Sequence, residues 1–464
     1  MVQPSQSTRF ADKMRAAGLH AAAIRAFQRS YEELIGGKTG LIEEDSIQAI
    51  DRLPRFDEVS QEANASLLEK TAIIKLNGGL GTGMGLDKPK SLLPIRDTLT
   101  FLDFIVRQVQ RLRRVSGGRV TFLLMNSFST SAETRRHLKL YPELGAPESL
   151  ELMQSRTPKV DATTLGPVSW PANPELEWCP PGHGDIYASL DGSGWLDRLL
   201  SDGIQYLFVS NSDNLGATLD LGLLSYFARS NASLLMEVAE RTEADRKGGH
   251  LARGRDGRLR LREAAQCPES DQTFFQDVRK HRFFNTNNVW LRADRLKELL
   301  GSHCGVIPLP LIRNEKPVDA RDAQSPRVFQ LETALGSAIE CFPDSAAIVV
   351  PRTRFVPVKN TSDLLVVRSD AYQVAEDWSL ALASECAGHP PMIQLDPKHY
   401  QTIEQLDVKF LATPSLRYCR ELLVEGAIQF PAGIEFRGNV RLINPGESRL
   451  NIPPGKYEDV VVRL

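Results

Sequence analysis

The feature that most restricts how this chain folds is a glycine-rich turn that directly follows an apolar, β-rich segment. Residues 71–76 read TAIIKL and residues 77–85 read NGGLGTGMG, so five of these nine following residues are glycines. Glycine adopts backbone conformations closed to other residues and lets a ligand approach without meeting a Cβ atom. Inward-pointing amides form an anion-binding concavity, and Lys88 and Lys90 supply positive charge just beyond it. The segment therefore predicts a buried strand that ends in a polyphosphate site.

The turn matches neither of two widespread phosphate-binding motifs. A P-loop requires G-x-x-x-x-G-K-[ST], and although Gly78 and Gly83 have the right separation, Met84 occupies the lysine position. The dinucleotide fingerprint requires G-x-G-x-x-G, and none of the three overlapping G-x-G starts has its final glycine. An oxidoreductase is therefore disfavoured. A flexible linker that binds nothing is the alternative, but linkers rarely lie between a buried strand and Lys-Pro-Lys.

The central part of the chain alternates short β-rich runs with amphipathic helical stretches. Further strands are predicted over residues 120–125, 206–209, 234–238 and 348–350. This alternation is typical of an α/β core with a largely parallel sheet. Upstream, a three-to-four spacing predicts helix with one buried face, formed by Ile24, Phe27, Tyr31 and Leu34. We expect an N-terminal helical segment over residues 1–65 and an α/β domain over residues 66–378.

The last part of the chain has a six-residue apolar repeat. One series comprises Leu422, Ile428, Ile434 and Val440, and a second comprises Val424, Phe430, Phe436 and Leu442. Such a repeat is typical of a parallel β-helix, and we expect a left-handed parallel β-helix over residues 379–464. An antiparallel meander, which also points alternate residues inward, is the alternative. Neither the β-helix nor the meander is expected to contribute catalytic residues, so this domain is expected to support the core or to form homo-oligomer contacts.

Composition and charge exclude several classes of protein. The chain has 464 residues with 56 Lys and Arg against 58 Asp and Glu, a formal net charge of −2, whereas a general nucleic-acid binder needs a strongly basic face. Residues 246–262 are locally basic but lack aromatics for base stacking, so we expect a solvated hairpin there. No apolar run approaches the ~18–20 residues that span a bilayer. The first residues contain no secretory signal, and the six cysteines are scattered, so we expect a cytoplasmic enzyme.

The glycine-rich turn resembles the signature loop of one enzyme family. Residues 76–82 (LNGGLGT), Met84-Gly85 and Pro89-Lys90-Ser91 are similar to that loop in UTP–glucose-1-phosphate uridylyltransferases, also called UDP-glucose pyrophosphorylases. The family usually has Lys-Gly where this chain has Asp87-Lys88, a change that leaves Lys90 in register. The resemblance implies a Rossmann-like nucleotidyltransferase core with a mixed, mostly parallel sheet. It also implies nucleotide contacts from Leu76, Asn77, Gly78, Gly79 and Lys90, with Gly78 and Gly79 also near the sugar phosphate.

A second motif follows the strand predicted over residues 206–209. Residues 210–216 read SNSDNLG, which places Asp213 just beyond a strand's carboxyl end, where ligands bind in open α/β sheets. A carboxylate there suits Mg²⁺, which is held by one or two carboxylates together with substrate phosphates. A turn cap is the alternative. The resemblance assigns Asp213 to the metal and the nucleotide, and Asn211 and Ser212 to the sugar phosphate.

Two motifs are expected to face the uridine. Residues 180–187 read PPGHGDIY, so two glycines frame one imidazole, although an isolated histidine is more often structural. The resemblance implies that the Gly182 backbone meets the uracil and that His183 meets the sugar phosphate, while Cys179 replaces an aromatic residue. It likewise makes Gln154 the glutamine that binds uracil, with a surface polar residue as the alternative and Asn126 as a neighbour.

Three further motifs complete the resemblance. Residues 284–290 read FNTNNVW, and the amides of Asn285 and Asn287 suit a hydroxyl-rich sugar because they both donate and accept hydrogen bonds. Glu332 is a candidate acceptor for sugar hydroxyls, and Lys359 follows an apolar strand. The resemblance makes Lys359 a phosphate contact opposite Lys90. A turn, a helix start and a solvated lysine are the respective alternatives.

We interpret these motifs as a transferase of carbohydrate metabolism that makes UDP-glucose and pyrophosphate from UTP and glucose 1-phosphate, reversibly and with Mg²⁺. The attacking phosphate is already ionised, so positioning and charge neutralisation suffice. The catalytic residues would be Lys90, Lys359 and Asp213. A pyrophosphorylase of the same fold for another sugar 1-phosphate, such as N-acetylglucosamine 1-phosphate, is one alternative. A non-catalytic scaffold that binds uridine nucleotides is the other.

Overall fold

The N-terminal helices pack onto the body of the protein. The computed structural model describes residues 5–59, 62–118, 120–319, 322 and 324–464, so residues 1–4 and 60–61 of the expected helical segment lie outside it. Helix α1 (Gln6–Ala16) packs on α2 (Ala21–Ile35), with the Phe10 ring 5.0 Å from Phe27 and 4.9 Å from Tyr31. These aromatics share a buried cluster with Val160, Leu311 and Leu331. Helices α1 and α2 therefore share a hydrophobic core with residues far along the chain.

The α/β body contains most of the remaining helices and strands. Its helices are α3 (Phe56–Val59), α4 (Phe101–Val115), α5 (Ser131–Leu138), α6 (Ile186–Gly192), α7 (Trp195–Ser201), α8 (Leu221–Arg229), α9 (Gln272–Phe275), α10 (Ala293–Ser302) and α11 (Thr361–Arg368). Its strands are β1 (Ile47–Gln48), β2 (Thr71–Asn77), β3 (Pro94–Arg96), β4 (Leu99–Thr100), β5 (Thr121–Asn126), β6 (Glu151–Met153), β7 (Thr157–Pro158), β8 (Val160–Asp161), β9 (Trp178–Cys179), β10 (Tyr206–Asn211), β11 (Leu234–Glu240), β12 (His250–Gly254), β13 (Leu259–Arg262), β14 (Phe283–Arg292), β15 (Ile312–Pro317), β16 (Arg327–Glu332), β17 (Ala346–Val349), β18 (Tyr372–Val374) and β19 (Leu380–Leu382).

The main sheet is mixed, with parallel strands at its centre. Its order is β1-β12-β14-β10-β2-β5-β6, with β11 beside β14 and β17, and β13 beside β12. Strands β10, β2, β5 and β6 are parallel, whereas β14 runs antiparallel to β10. The two faces of β2 belong to different buried clusters, Ile73 to one and Ile74 to the other. Burial on both faces accounts for the apolar runs seen in the sequence, and the predicted mixed α/β fold is confirmed.

The carboxyl ends of three central strands meet at one edge of this sheet. Asn77 at the end of β2 pairs with Asn126 at the end of β5, and Leu76 pairs with Asn211 at the end of β10. The glycine-rich turn and residues 212–217 leave the sheet from this edge. The fold therefore brings the predicted phosphate turn and the predicted metal-binding segment side by side.

The basic stretch of residues 246–262 forms a hairpin, as predicted, but the hairpin is not solvated. Strands β12 and β13 pair antiparallel, yet the side chains of His250 and Arg262 are fully buried. Arg262 forms ion pairs of 2.6 Å with Glu44 and 2.9 Å with Asp271. The expectation of a solvated hairpin is wrong because carboxylates from distant segments neutralise the buried guanidinium.

The C-terminal part is a stack of parallel strands. Together with α12 (Pro397–Tyr400) and α13 (Ile403–Lys409), it contains β20 (Met392–Leu395), β21 (Ser415–Glu425), β22 (Ile428–Gln429), β23 (Ile434–Ile443), β24 (Leu450–Asn451), β25 (Gly455–Glu458) and β26 (Val461–Arg463). Every strand pair across the described residues 392–463 is parallel, which contradicts the antiparallel meander. Both apolar series point inward and are buried. Among the described residues, no helix is long and apolar enough to cross a membrane.

Candidate active site

Asn77 ties the three strand ends together beneath the glycine-rich turn. Its Nδ2 donates to Asn126 Oδ1 at 2.7 Å and to Thr134 Oγ1 at 3.0 Å, and its Oδ1 accepts from Ser212 Oγ at 3.2 Å. Because both polar atoms of this buried side chain are satisfied within the protein, the side chain supports the site, while the neighbouring backbone remains available to a ligand. Asn77, Asn126 and Ser212 thus form one buried polar connection.

The first two glycines of the turn play different roles. A Cβ at Gly78 would lie 2.4 Å from Gln154 Oε1, and the Gly78 carbonyl accepts from Ser127 Oγ at 2.8 Å. A Cβ at Gly79 would meet nothing within 4 Å. Gly78 is therefore required by close packing against the glutamine, whereas Gly79 borders open space in which a ligand can approach the backbone.

Lys90 and Asp213, predicted from separate motifs, are in direct contact. Lys90 Nζ lies 2.6 Å from Asp213 Oδ2, and the two side chains are 17% and 19% exposed. The backbone of Lys90 is joined to the turn, because its N–H donates to the Gly79 carbonyl at 3.2 Å. The structure therefore brings the predicted phosphate lysine and the predicted metal carboxylate to one point beside the glycines.

Lys359 reaches the same region from another part of the chain. Pro357 forms a backbone bridge with Asn214, and the Val358 N–H donates to the Asp213 carbonyl at 3.3 Å. The Lys359 ammonium lies 5.6 Å from the centre of the Phe284 ring and 5.9 Å from that of Phe355. Within the described residues it forms no ion pair. Its positive charge lies over two aromatic faces, and it also acts through space on the carboxylates of Glu263 and Asp363.

The two residues predicted to face uracil contact each other. Gln154 Nε2 donates to the Gly182 carbonyl at 3.0 Å. Gly182 has φ +81°, and a Cβ there would lie 2.3 Å from Thr333 O. Only glycine fits this conformation and this close approach without strain, so the turn geometry explains the glycine before His183.

His183 is a neutral hydrogen-bond donor at physiological pH. Its Nδ1 accepts from the Leu335 N–H at 2.8 Å, which leaves the ring proton on Nε2. Burial lowers the pKa of His183 to about 4. The side chain can therefore donate one hydrogen bond to a ligand oxygen without adding charge.

The asparagines predicted for the sugar form a connected group. Asn287 Nδ2 donates to Asn211 Oδ1 at 2.8 Å, and the Asn287 N–H donates to Asn285 Oδ1 at 2.9 Å. Asn287 has φ +60°, and its buried Oδ1 has no hydrogen-bond partner among the described residues. Buried acceptors are normally satisfied, and a sugar hydroxyl would satisfy this one.

Glu332 lies apart from this asparagine group. Its Oε1 accepts from Asn314 Nδ2 at 3.0 Å, and its Cβ lies 3.2 Å from where a Cβ at Gly182 would be. The structure thus places Glu332 beside the predicted uracil turn, and it shows no contact between its carboxylate and Asn285 or Asn287 among the described residues.

Glu263 is a carboxylate of the site that sequence reasoning missed. Its Oε1 accepts from Asn285 Nδ2 at 3.4 Å, and burial raises the pKa of its carboxyl. Added Cβ atoms at Gly248 and Gly249 would lie 1.9 Å from the Phe284 ring and 2.4 Å from Glu263 Oε2. The sequence signal for Glu263 was the pair Gly248-Gly249 in the basic stretch, because these two glycines leave room for the side chains of Phe284 and Glu263.

A family model and curated relatives match this arrangement along the chain. The family model for UTP–glucose-1-phosphate uridylyltransferase matches residues 24–437. The UTP–glucose-1-phosphate uridylyltransferase of Saccharomyces cerevisiae is 39% identical over 415 residues, which covers 89% of this chain and 82% of that protein. The corresponding enzyme of Hordeum vulgare is 38% identical over 395 residues, covering 85% and 81%.

Solved structures match the fold. A mutant of the UDP-glucose pyrophosphorylase of Leishmania major, in complex with UDP-glucose, superposes with a TM-score of 0.95 at 45% identity, covering 99% of this chain and 100% of that one. The UDP-glucose phosphorylase of Trypanosoma brucei gives a TM-score of 0.94 at 46% identity, with the same coverage. Similarity in sequence and in structure therefore extends over nearly the whole chain.

Proposed function

This chain belongs to the UTP–glucose-1-phosphate uridylyltransferase family, and from that premise we propose that it makes UDP-glucose and pyrophosphate from UTP and glucose 1-phosphate, reversibly. The observation that supports this most directly is the convergence of Lys90, Asp213 and Lys359 beside the glycine-rich turn. A protein that binds a triphosphate needs positive charge only where the phosphates lie. A net charge of −2 for the whole chain is therefore compatible with this function.

The reaction is an in-line transfer of the uridylyl group. A phosphate oxygen of glucose 1-phosphate attacks the α-phosphorus of UTP, a new P–O bond forms, and the bond from that phosphorus to the bridging oxygen breaks. The electron pair of the broken bond leaves with pyrophosphate. The attacking oxygen is already ionised at neutral pH, so no general base is needed, and catalysis rests on positioning and charge neutralisation.

Each part of the site has a role in this scheme. Lys90 and the backbone amides of residues 78–83 hold the triphosphate, and Lys359 offsets the charge that gathers at the α-phosphate. Gln154 and the Gly182 backbone receive the uracil, and the nucleotide-facing backbone includes Leu76. His183 donates from Nε2 to an oxygen of the sugar phosphate. The remaining polar groups receive sugar hydroxyls or the sugar phosphate, namely Asn211, Ser212, Asn285, Asn287, Glu332 and Glu263.

Asp213 fits a magnesium ion that is shared with substrate. Among the described residues, no three or more His, Cys, Asp and Glu side chains are grouped to hold a metal, so a cage made of protein alone is not available. Mg²⁺ commonly takes one or two carboxylates and completes its shell with substrate phosphates and water. Asp213 would hold the ion, which would neutralise charge on the phosphate oxygens.

For the C-terminal domain we propose a left-handed parallel β-helix that provides homo-oligomer contacts in a cytoplasmic enzyme. The parallel strand pairs and the two buried apolar series support the coil arrangement. The side chains of Leu450 and Val461 are 38% and 61% exposed. Exposed apolar side chains of this kind favour the parallel stack as a contact surface between copies of the chain. Light scattering after size exclusion, with Val461→Asp as the variant, tests this, since a monomeric wild-type chain contradicts it.

A sugar 1-phosphate panel tests the proposed reaction. The purified chain with UTP and Mg²⁺ is offered glucose 1-phosphate or N-acetylglucosamine 1-phosphate, and released pyrophosphate and UDP-sugar are measured. Highest kcat/KM for glucose 1-phosphate is expected. A preference for the N-acetylated sugar would favour the other pyrophosphorylase. Uridine-nucleotide binding without any UDP-sugar formed would favour a non-catalytic scaffold.

A further inference from the structure

Lys75 is a buried ammonium that the reaction scheme above does not use. It is the fifth residue of β2 and is only 2% exposed. Its Nζ donates to Ser210 Oγ at 2.8 Å and to the Ala217 carbonyl at 2.6 Å, and it forms no ion pair among the described residues. Lysine is rarely buried this fully unless it is paired, and burial lowers the pKa of Lys75 to about 7. Keeping this group in the sheet therefore has a cost in stability.

The two oxygens that Lys75 contacts mark the start and the end of one segment. Lys75 is the register partner of Ser210 in the adjacent parallel strand, and Ala217 lies beyond the turn that follows that strand. Residues 210–217 are thus closed into a loop by a single ammonium. That loop contains Asn211, Ser212 and Asp213, which the proposed function places in contact with substrate or metal.

The same loop also supports the strand that leads to Lys359. Asn214 bridges Pro357 through the backbone, and its Oδ1 accepts from the Val356 N–H at 2.8 Å. A Cβ at Gly216 would lie 2.3 Å from Thr353 O, so the two segments are packed backbone to backbone. A shift of residues 210–217 would therefore move Asp213 directly and Lys359 through its neighbours.

We propose that Lys75 is a positioning residue for nucleotidyl transfer, which fixes residues 210–217 so that Asp213 and Lys359 keep their spacing around the phosphates. The proposal rests on the proposed function and extends it to a group that does not touch substrate. Lys75 acts through its two hydrogen bonds, because an apolar side chain of similar length would fill the same space yet leave Ser210 Oγ and the Ala217 carbonyl without this donor. A displacement of about 1 Å in a reacting group can cost ~100-fold in rate.

The test is the variant Lys75→Met, compared with wild type in the UDP-glucose assay. We expect kcat to fall by about 10- to 100-fold, the KM for glucose 1-phosphate to stay within about threefold, and the Mg²⁺ concentration for half-maximal rate to rise. Lys159→Met is the matched control, because Lys159 is also a buried lysine and it donates to a backbone carbonyl, Val318 O, at 2.9 Å. This control should keep a near-wild-type kcat while it loses a comparable buried hydrogen bond.

Ser210→Ala removes one of the two hydrogen bonds and provides a second route if Lys75→Met does not fold. We expect a smaller fall in kcat, and in a folded double variant we expect no further loss beyond that of Lys75→Met, because both changes break the same connection. A wild-type kcat in Lys75→Met or in Ser210→Ala would overturn the proposal, as would equal losses in the Lys159→Met control. A wild-type chain that makes no UDP-glucose would contradict the proposed function itself, and with it the role of Lys75.

Discussion

Lys90 and Asp213 form a 2.6 Å ion pair although 123 residues separate them in the sequence. One group is suited to a phosphate and the other to a cation, and in this structure the two charges neutralise each other. The pair lies where β2 and β10 end side by side, so it is the parallel sheet that brings the two motifs together. The electrostatic character of the site thus follows from strand order as much as from residue type.

Loss of either lysine that we propose to be catalytic, Lys90 or Lys359, is expected to cut turnover strongly. Lys90→Ala or Lys359→Ala should lower kcat by at least ~100-fold, because one preorganised charged donor contributes about 3–4 kcal/mol to the transition state. Steady-state rates of UDP-glucose formation provide the measurement. Lys398→Ala is the control, since Lys398 forms an exposed ion pair with Glu447 in the C-terminal part of the chain. Near-wild-type turnover in either lysine variant would contradict the role assigned to that residue.

The aromatic rings beneath Lys359 are expected to affect its catalytic contribution. Phe355→Leu removes one of the two rings near the ammonium, and a cation–π contact of about 0.5–2 kcal/mol predicts a fall in kcat of roughly 2- to 30-fold. Phe355→Tyr keeps a ring and should retain most of the rate. Comparing the kcat values of these two variants separates the aromatic contact from simple packing, and equal activities would argue against the contact.

The Gly182 turn is expected to be intolerant of any side chain. Gly182→Ala would place a methyl group 2.3 Å from Thr333 O at a φ of +81°, so the turn and its contact with Gln154 should shift. We expect the KM for UTP to rise by about 10-fold or more, since such strain is typically 1–3 kcal/mol. Gly203→Ala is the matched control, because Gly203 has φ +82° but nothing within 4 Å of an added Cβ. A similar KM change in both variants would mean that backbone strain alone is responsible.

The pH dependence of stability should reveal the buried Lys75. Burial lowers its pKa from the ordinary 10.5 to about 7, so below pH 7 the amine is protonated in both states. Between about pH 7 and 10.5 the unfolded chain binds the extra proton, and stability therefore rises with pH. Relative to Lys75→Met, the wild-type free energy of unfolding should increase by up to ~1.4 kcal/mol per pH unit in this window.

Urea unfolding of both proteins at pH 7, 8 and 9 gives this difference directly. The charged groups that act on the Lys75 amine, Arg354, Glu237 and Asp213, are present in both proteins, as are all other titrating groups, so their contributions largely cancel in the comparison. A difference that stays constant across the three pH values would show that the pKa of Lys75 is not depressed in the folded state.

Structural features that are determined by neighbouring residues could be predicted from the sequence. The glycine-rich turn, the position of Asp213 after a strand and the buried six-residue repeats all depend on neighbouring residues, and strand order then assembles them. The parallel centre of the sheet likewise follows from apolar runs without polar alternation. For these features the local pattern and the folded structure agree.

Groups whose partners lie far along the chain could not be predicted. Arg262 belongs to a basic stretch that suggests solvent, yet it is neutralised by Glu44, which is 218 residues away. Glu263 becomes part of the site only because the hairpin of β12 and β13 packs against β14. The backbone carbonyl of Ala217 accepts a hydrogen bond from Lys75. The sequence could not predict this contact, because every residue has a backbone carbonyl.

The N-terminal helices have a consequence for the order in which the chain folds. The aromatic side chains of α1 and α2 are buried against Val160, Leu311 and Leu331, so their core is complete only after Leu331 has been synthesised. During translation these helices would expose Phe10, Phe27 and Tyr31 for most of that time, the kind of surface that attracts chaperones and promotes aggregation. Helices α1 and α2 thus complete their packing only after residues far downstream have left the ribosome.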